Sequence, residues 1–466
     1  MTHRNIVLIV LDSVRKDFFD SYAVRTRNES DLSYEQCRAA SSWSLPSHAS
    51  MLSGTLPSQH GVHTHSGTFD PLPTEDTFFH DLSDEFKTIC VSANAFASSS
   101  YNFDKYFDTC VEPSETRRFP DGFDPGEITQ EIGNDNLLRY FEGLRAILRH
   151  QSPLKSLGNA VLGEIDNQCR ELPVPQPIDN GATPVFRATK NEIQEHEEPF
   201  FAFVNIMDAH IPLRPRLAFD SSIYDVPNDW STNEKQIWEL MNEEADDYWH
   251  NREELYAATI DYLDKKIISF SRWVQKNTKK ETTVIVTADH GENHGRAEED
   301  GLVNHKSSLS EGLLHVPLEI LNAPYNKNKH QPITSHLELG NLIQSISRGT
   351  ITDISMDTTA AEVIGISAGP EPENNFKYWD RAIRCAYRDS KKYIWDSLGT
   401  VSKYQIYEDR PSYQNLLSQD DIEVPQWAAN HFNTNINEYK QKARAMENNI
   451  DVAGATQDRL EKLGYL

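Results

Sequence analysis

The chain has 466 residues, and its 45 basic and 71 acidic side chains give a formal net charge of −26. So large an acidic excess disfavours nucleic acid or an anionic membrane as the main partner. The length allows a large buried core and predicts one large α/β domain with a smaller appendage, or two domains.

The sequence also predicts the compartment. The apolar run near the N-terminus covers only residues 6–11, which is too short for an export signal. Elsewhere no segment approaches the roughly 20 apolar residues of a membrane-spanning helix. We therefore expect a cytoplasmic protein without a membrane span. Five cysteines without close pairs predict reduced thiols and no zinc knuckle; they are Cys37, Cys90, Cys110, Cys169 and Cys385.

The first predicted strand is the apolar run at residues 6–11. Its mostly branched side chains are typical of a strand buried on both faces of a parallel sheet. Asp12 follows at the carboxyl end, where ligands of open α/β sheets collect. Taken alone, this aspartate can be a loop cap or a ligand. Residues 13–40 are expected to form a polar crossover.

A short helix is predicted from Ser44 to a glycine stop at Gly54. Pro46 is tolerated in the first helical turn because its missing N–H would be unpaired there. Ser44 thus lies at a helix N-terminus, where free N–H groups and the helix dipole favour an anion. Its hydroxyl can cap the helix or attack a bound anion, and this segment alone favours capping.

The middle of the chain contains a predicted helical insertion at about residues 110–180. Residues 110–135 are rich in Pro, Gly, Asp and Glu and are expected to be loop. Residues 136–162 then show helical periodicity. This helix can form a lid over the carboxyl edge of the sheet or serve only for packing.

Two later strands repeat the pattern of an apolar run that ends in polar residues. Residues 200–206 precede His210, and histidine is a side chain that commonly serves as a general acid. Residues 282–288 precede Asp289 and His290. Together with Asp12 and Ser44, this pair makes a mostly oxygen site that suits a divalent cation.

The C-terminal part is predicted to be a separate subdomain. Residues 347–375 show little pattern and mark a boundary, so the expected domains are 1–346 and 347–466. Short strands at residues 381–387, 392–396 and 403–407 and a terminal helix are predicted beyond it. A small α+β subdomain with antiparallel strands is therefore expected.

Five segments, in order along the chain, resemble the sulfatase family of the alkaline phosphatase superfamily. The first resembles the signature Cys/Ser-x-Pro-x-Arg with a trailing Leu-x-Gly segment. The others match the family's metal-binding strands, its leaving-group histidine and its Lys-x4-Glu-Gly segment. The matching residues are Ser44-Leu45-Pro46-Ser47-His48 with Met51-Leu52-Ser53-Gly54, Asp12, Asp289-His290, His210, and His305-Lys306 with Glu311-Gly312. The resemblance implies a mostly parallel central sheet with helices on both faces.

The sequence departs from the family pattern at three places. Ser13 stands where many sulfatases carry a second aspartate, and His48 stands in place of the signature arginine. The family's Gly-Lys-Trp-His segment is missing, and the corresponding region, residues 91–96, contains Asn94. The candidate ligands for one metal ion, an acidic residue, a hydroxyl, an aspartate and a histidine, also resemble those of the superfamily's phosphoglycerol transferases.

The resemblance implies a role for each candidate site residue. One divalent cation (Ca²⁺ or Mg²⁺, with Mn²⁺ also suitable) would be held by Asp12, Ser44, Asp289 and His290. Ser44 would attack sulfur or phosphorus, either as the hydroxyl or after conversion to formylglycine. Lys306 and His305 would stabilise the equatorial oxygens, His210 would protonate the leaving alcohol, and His48 would orient or deprotonate Ser44.

Three functions follow from these expectations. The first is a metal-dependent sulfatase-like hydrolase that cleaves the sulfate ester of a small molecule or glycan. The second is a phosphodiesterase or phosphoglycerol-type phosphotransferase that uses unmodified Ser44. The third is a catalytically degenerate binding protein of the same fold, suggested by Ser13 and His48. The sequence leaves the alcohol group and the oligomeric state open.

Overall fold

The apolar residues that follow Arg4 form the centre of the main sheet. In the computed structural model every residue of β1 (Asn5–Leu11) is buried. The structure describes residues 3–82, 86–114, 117–119, 121–124, 138–170, 172–196, 199–235, 237–241, 245–325, 328–366, 374–446 and 460. The other described strands are β2 (Leu32–Arg38), β3 (Lys87–Ser92), β4 (Thr109–Val111), β5 (Phe200–Ile206), β6 (Thr282–Ala288), β7 (Asn293–His294), β8 (Val303–Asn304), β9 (Leu318–Leu321), β10 (Asn328–Ser335), β11 (Thr358–Ile364), β12 (Ala382–Arg388), β13 (Lys391–Asp396), β14 (Val401–Ile406) and β15 (Gln414–Gln419).

The strands form a large sheet, a smaller sheet and a two-stranded ribbon. The large sheet has the order β10-β2-β9-β6-β1-β5-β3-β4, and among its described strands only β9 runs antiparallel to its neighbours. The second sheet, β11-β12-β13-β14-β15, is antiparallel throughout, and β7 pairs with β8. The predicted α/β fold and the C-terminal antiparallel subdomain are therefore confirmed.

Helices cover both faces of the large sheet. The described α-helices are α1 (Lys16–Tyr22), α2 (Val24–Glu29), α3 (Ser44–Ser53), α4 (Pro57–His60), α5 (Phe79–Leu82), α6 (Leu138–Arg149), α7 (Pro153–Cys169), α8 (Ala182–Glu195), α9 (Ile237–Leu240), α10 (Asp246–Asn277), α11 (Glu311–Leu314), α12 (Leu339–Ser347), α13 (Phe376–Trp379), α14 (Gln426–Ala429) and α15 (Ile436–Ala445). Helix α10 packs with α1, α2 and α8 on one face, and α12 packs with α3 and β1 on the other. No described helix is long and apolar enough to cross a membrane.

Strands β2 and β11 are among those that lie where the sequence predicted none. Strand β2 lies inside the expected polar crossover. Its Glu35 is paired with Lys16 at 3.1 Å, and a paired charge is tolerated in a sheet. Strand β11 lies inside the patternless segment at residues 347–375, where Glu362 pairs with Arg384 at 2.9 Å. The proposed boundary between residues 346 and 347 stays a prediction.

The predicted helix at residues 136–162 is two helices. Residues 136 and 137 lie outside the described part, and α6 ends at Arg149. Helix α7 begins at Pro153, and Ser152 before it has φ −123° and ψ 70°, outside the helical region. A proline disfavours helical geometry at the preceding residue, so Pro153 ends one helix and starts the next.

A buried ionic network joins the C-terminal sheet to the large sheet. Glu311 Oε2 lies 2.9 Å from an Arg38 nitrogen of β2, and Glu311 Oε1 lies 2.9 Å from Lys392 Nζ of β13. Tyr387 donates a third contact to Glu311 Oε1 at 2.7 Å. Burial alone would raise the pKa of Glu311, but the charges of Arg38 and Lys392 outweigh it and lower the pKa to about 2.

We expect Lys392→Met to lower the free energy of unfolding by about 3 kcal/mol, because it leaves part of a buried carboxylate unpaired. Urea denaturation measures the change. Lys391→Met is the matched control, since its ammonium contacts Gln405 at the sheet surface, and a change below about 0.5 kcal/mol is expected there. Equal losses in the two variants would contradict the network's role.

Candidate active site

The carboxyl ends of β1 and β6 and the N-terminus of α3 meet at one point. Helix α3 begins at Ser44, and the residue before it, Trp43, makes no side-chain cap. Ser44 Oγ instead donates to Asp12 Oδ2 at 2.9 Å and lies 3.5 Å from His290 Nε2. The capping interpretation is therefore wrong, because the hydroxyl faces the strand ends rather than the helix amides.

Three groups at this point suit a divalent cation. One ligand atom each of Asp12, Asp289 and His290 lies within 4.8 Å of the others, and all three side chains are buried. Asp289 Oδ2 has no hydrogen-bond partner among the described residues. His290 Nδ1 bonds to the Gly291 carbonyl at 2.7 Å, which leaves Nε2 for the site. An orphaned carboxylate oxygen and an oriented imidazole fit the predicted cation.

The charges of this cluster compete with one another. Burial and the Asp12 charge raise the pKa of Asp289 to about 7. Burial also opposes ionisation of Asp12, but the charges of His210 and His290 and hydrogen bonds from Ser13 and Ser44 lower its pKa overall. Two carboxylates held together away from water repel each other, and a cation between them would remove that repulsion.

Ser13 orients both carboxylates. Its Oγ donates to Asp12 Oδ1 at 2.7 Å, and its backbone N–H donates to Asp289 Oδ1 at 3.2 Å. The turn that allows both contacts places Ser13 in the left-handed region, with φ +59°. The residue that replaces the family's second aspartate thus positions the two remaining acids.

His48 lies one turn along α3 from Ser44 and faces other partners. Its Nε2 lies 3.2 Å from Asn205 Nδ2 and 3.6 Å from Asp289 Oδ2, and its ring packs on Phe103 and Phe203. Burial lowers the pKa of His48 to about 3, although the Asp12 charge opposes the shift. No contact with Ser44 is among those of the described residues, so the contact expected for proton removal is not made.

The other predicted catalytic residues lie around the same point. His210 Nδ1 bonds to the Ile211 carbonyl at 2.7 Å, and the His210 and His305 rings are 5.9 Å apart. The His305 ring is 5.0 Å from that of His290. Burial lowers the pKa of Lys306 to about 7, while the charge of Glu292 opposes the shift. The structure thus brings His210 and His305 close to His290, while Lys306 is buried near Glu292, and the roles of all three stay predictions.

Asn94 is a site residue that the sequence did not identify as one. It follows β3, and its Nδ2 lies 2.7 Å from Asp12 Oδ2 and 3.1 Å from Ser44 Oγ. Its Oδ1 accepts from the Phe96 N–H at 2.8 Å, which orients the amide toward the site. The only sequence signal was its position beyond the carboxyl end of a strand.

We expect Asn94→Ala to lower kcat by about 10- to 100-fold, because Ser44 and Asp12 lose a shared donor that orients both oxygens. Steady-state kinetics on the substrate that the chain turns over measures the effect. Asn102→Ala is the control, since Asn102 contacts the surface Asp70 at 2.6 Å, and its kcat should stay within about twofold of the native value. An unchanged kcat for Asn94→Ala would contradict the role.

Close backbone contacts join the segment that follows Asp289 and His290 to the segment at Gly312 and Leu313. Gly291 N–H donates to the Leu313 carbonyl at 2.7 Å, and Glu292 N–H donates to the Gly312 carbonyl at 3.1 Å. A Cβ at Gly291 would lie 2.0 Å from the Gly312 oxygen, so only glycine fits there. Glu292 in turn places its carboxylate 3.5 Å from His305 Nδ1 and 3.6 Å from an Arg252 nitrogen.

The C-terminal sheet holds the segment that carries Lys306. Arg381 donates to the Ser307 carbonyl at 3.2 Å, and Ser307 Oγ donates to the Gly365 carbonyl at 3.1 Å. Lys392 Nζ donates to the Leu309 carbonyl at 2.5 Å. The C-terminal subdomain therefore positions part of the candidate active site.

A family model described as Sulfatase matches residues 4–345, which include all the candidate site residues. The chain belongs to the sulfatase family. A comparison with curated proteins gave no match. In this chain Asp12, His210 and Asp289 follow β1, β5 and β6, and Ser44 begins α3.

Solved structures have the same sulfatase fold. A 2-O GAG sulfatase is 12% identical with a TM-score of 0.55, and the comparison covers 86% of this chain and 85% of that one. The protein BT4656, solved in complex with its substrate D-glucosamine-2-N,6-O-disulfate, is 12% identical with a TM-score of 0.56, and the comparison covers 86% of this chain and 91% of that one. The phosphonate monoester hydrolase of Agrobacterium radiobacter is 13% identical with a TM-score of 0.54, covering 99% and 94%.

Proposed function

We propose that this sulfatase-family chain is a metal-dependent hydrolase of a sulfate ester and that Ser44 is its nucleophile. The observation that supports the proposal is the 2.9 Å contact between Ser44 Oγ and Asp12 Oδ2 at the start of a helix. A hydroxyl bonded to a carboxylate can release its proton, and helix N–H groups favour the anion that it attacks.

Asp12, Asp289 and His290 would hold the cation, with Ser44 as the further oxygen ligand. When bound, a divalent cation lowers the pKa of a coordinated hydroxyl and neutralises charge on the transferred group. Ser13 and Asn94 would keep the oxygens of Asp12 and Ser44 in place through the contacts described above. Lys306 would supply a further positive charge to the equatorial oxygens when it is protonated.

The reaction would proceed in two steps. Ser44 Oγ forms a bond to sulfur as the bond from sulfur to the ester oxygen breaks, and His210 protonates the departing alcohol. The Nδ1 contact of His210 with the Ile211 carbonyl would fix the ring in place for this task. Water then releases sulfate from Ser44. If Ser44 is formylglycine, the hydrate attacks instead and sulfate leaves by elimination.

The charges around Ser44 favour an ester that carries one negative charge. His48 is neutral near pH 7, since its pKa is lowered to about 3, and Lys306 is only partly protonated at a pKa of about 7. A sulfate monoester and a phosphodiester each carry one negative charge. The second candidate is therefore a phosphodiesterase or phosphoglycerol-type transferase that uses the Ser44 hydroxyl, which Asn94 contacts at 3.1 Å.

The test combines the mass of the Ser44-containing peptide with turnover of paired aryl sulfate and aryl phosphodiester substrates in Mg²⁺, Ca²⁺ or Mn²⁺. Sulfate turnover supports the proposal, and a loss of about two mass units at Ser44 would identify formylglycine. Phosphodiester turnover with unmodified Ser44 would overturn it in favour of the second candidate. Absence of metal binding and of turnover would identify a degenerate binding protein.

A further inference from the structure

The hairpin formed by α6 and α7 exposes its apolar side chains. On α6, Phe141, Leu144 and Leu148 follow one another at spacings of three and four residues, and Leu148 is 71% exposed. The same spacing continues on α7, where the exposed residues are Leu154, Leu157, Val161 and Ile165. Residues at this spacing share one side of a helix, so each helix carries an exposed apolar face.

The opposite side of α7 is buried and polar. Asn159 donates to the carbonyls of Phe119 and Phe123 at 3.1 and 3.0 Å and accepts from the Phe119 N–H at 2.8 Å. Ser156 Oγ accepts from the Phe123 N–H at 2.9 Å. The helix therefore attaches through polar groups and turns its leucines outward, the reverse of the pattern that folding alone requires.

Exposure of the apolar side chains is greatest at the tip of the hairpin. Leu148 and Leu154 flank the turn, and Leu154 is 84% exposed. Residues 141–157 carry Arg145, Arg149 and Lys155 but only one acidic residue, Glu142, in a chain of net charge −26. Arg145 lies 3.6 Å from Glu142, and Lys155 contacts Asp121, whereas Arg149 makes no contact with an acidic side chain among the described residues.

We propose that the outer face of this hairpin, Phe141, Leu144, Leu148, Leu154 and Leu157, binds the surface of an anionic lipid bilayer. Apolar residues at a tip with flanking cations are the pattern of segments that enter the lipid–water interface. Docking two copies tip to tip would instead bring like charges together. The net charge of −26 for the whole chain does not show that this surface carries cations.

The attachment of the hairpin connects it to the proposed site. Beyond α7, Asn180 N–H and Ala182 N–H donate to the two oxygens of Asp208 at 3.1 and 2.8 Å. Asp208 precedes His210 by two residues and is buried. The segment that follows the hairpin is therefore joined to the segment that carries His210.

Flotation of the full-length protein with phosphatidylglycerol–phosphatidylcholine vesicles and with phosphatidylcholine vesicles tests the proposal. We expect binding to the anionic vesicles that weakens with salt, and a loss of about tenfold or more in L148S/L154S. Arg149→Glu should weaken anionic binding several-fold. The matched control L416S/L417S removes two leucines of β15 that are each 47% exposed, and it should bind like the native chain.

Three results would overturn the proposal: no binding of the native chain to anionic vesicles, equal binding to both vesicles, or native binding by L148S/L154S. A dimer in light scattering that L148S/L154S converts to a monomer, without vesicle binding, would assign the face to a second copy. Turnover of a soluble aryl ester by the same variants should stay unchanged. That measurement separates a failure here from a failure of the proposed function.

Discussion

Ser44→Ala is expected to lower kcat by about 10⁴-fold or more, because it removes the only hydroxyl that contacts Asp12 Oδ2 at the start of α3 among the described residues. Fold and metal binding should persist, since Asp12, Asp289 and His290 remain. Steady-state kinetics with the substrate identified by the paired assay measures the loss, and calorimetric titration with Mn²⁺ measures the metal site.

The control for this variant lies on the same helix. Ser53 donates its hydroxyl to the Ala49 carbonyl at 2.8 Å, at the opposite end of α3. Ser53→Ala should keep kcat within about twofold, because this end of the helix is removed from the strand ends. Retention of more than about one percent of native kcat by Ser44→Ala would identify water, rather than a serine intermediate, as the attacking group.

The sequence predicted the centre of the fold because each signal there is local. The buried runs of β1 and β6 show in six or seven consecutive residues, and Asp12, Asp289 and His290 directly follow them. The carboxyl ends of neighbouring parallel strands share an edge, so their meeting follows from topology. The family and the fold class are confirmed for that reason.

What the sequence missed depends on contacts between distant segments. Asn94 lies 82 residues from Asp12, and its position beyond the carboxyl end of a strand does not by itself identify its partners. His48 lies on the predicted helix, but its ring contacts Asn205, which is 157 residues away, rather than Ser44. Strand β2 is polar in sequence, and its Glu35 is paired with Lys16 and Arg27, which lie on other segments.

The helical insertion shows a different limit. Periodicity identifies a helix and its apolar side, but it assumes that the apolar side faces the core. In α7 the buried side is formed by Ser156, Asn159 and Asp166 instead. Only the structure shows which side is covered.

Asp289→Asn is expected to abolish turnover and yet stabilise the metal-free protein. With metal removed by a chelator, burial and the Asp12 charge raise the pKa of Asp289 to about 7, well above its value in the unfolded chain. Between about pH 4 and pH 7 the folded protein thus holds a proton that the unfolded chain has released, so the free energy of unfolding falls as the pH rises. The amide variant carries no such charge and should be more stable by roughly 2 kcal/mol at about pH 8.

The measurements are urea denaturation at several pH values in chelator, and calorimetric titration with Mn²⁺, whose affinity should fall by at least about 100-fold. Asp264→Asn is the control with the opposite sign. Asp264 is equally buried but accepts from Thr26 N–H and Oγ1 at 2.7 Å each and from Arg25 N–H at 2.9 Å. Its amide should destabilise the chain by about 2 kcal/mol and leave metal affinity unchanged. If Asp289→Asn also destabilised the metal-free chain, Asp289 would serve the fold, and the argument that its repulsion from Asp12 is retained to bind a cation would be wrong.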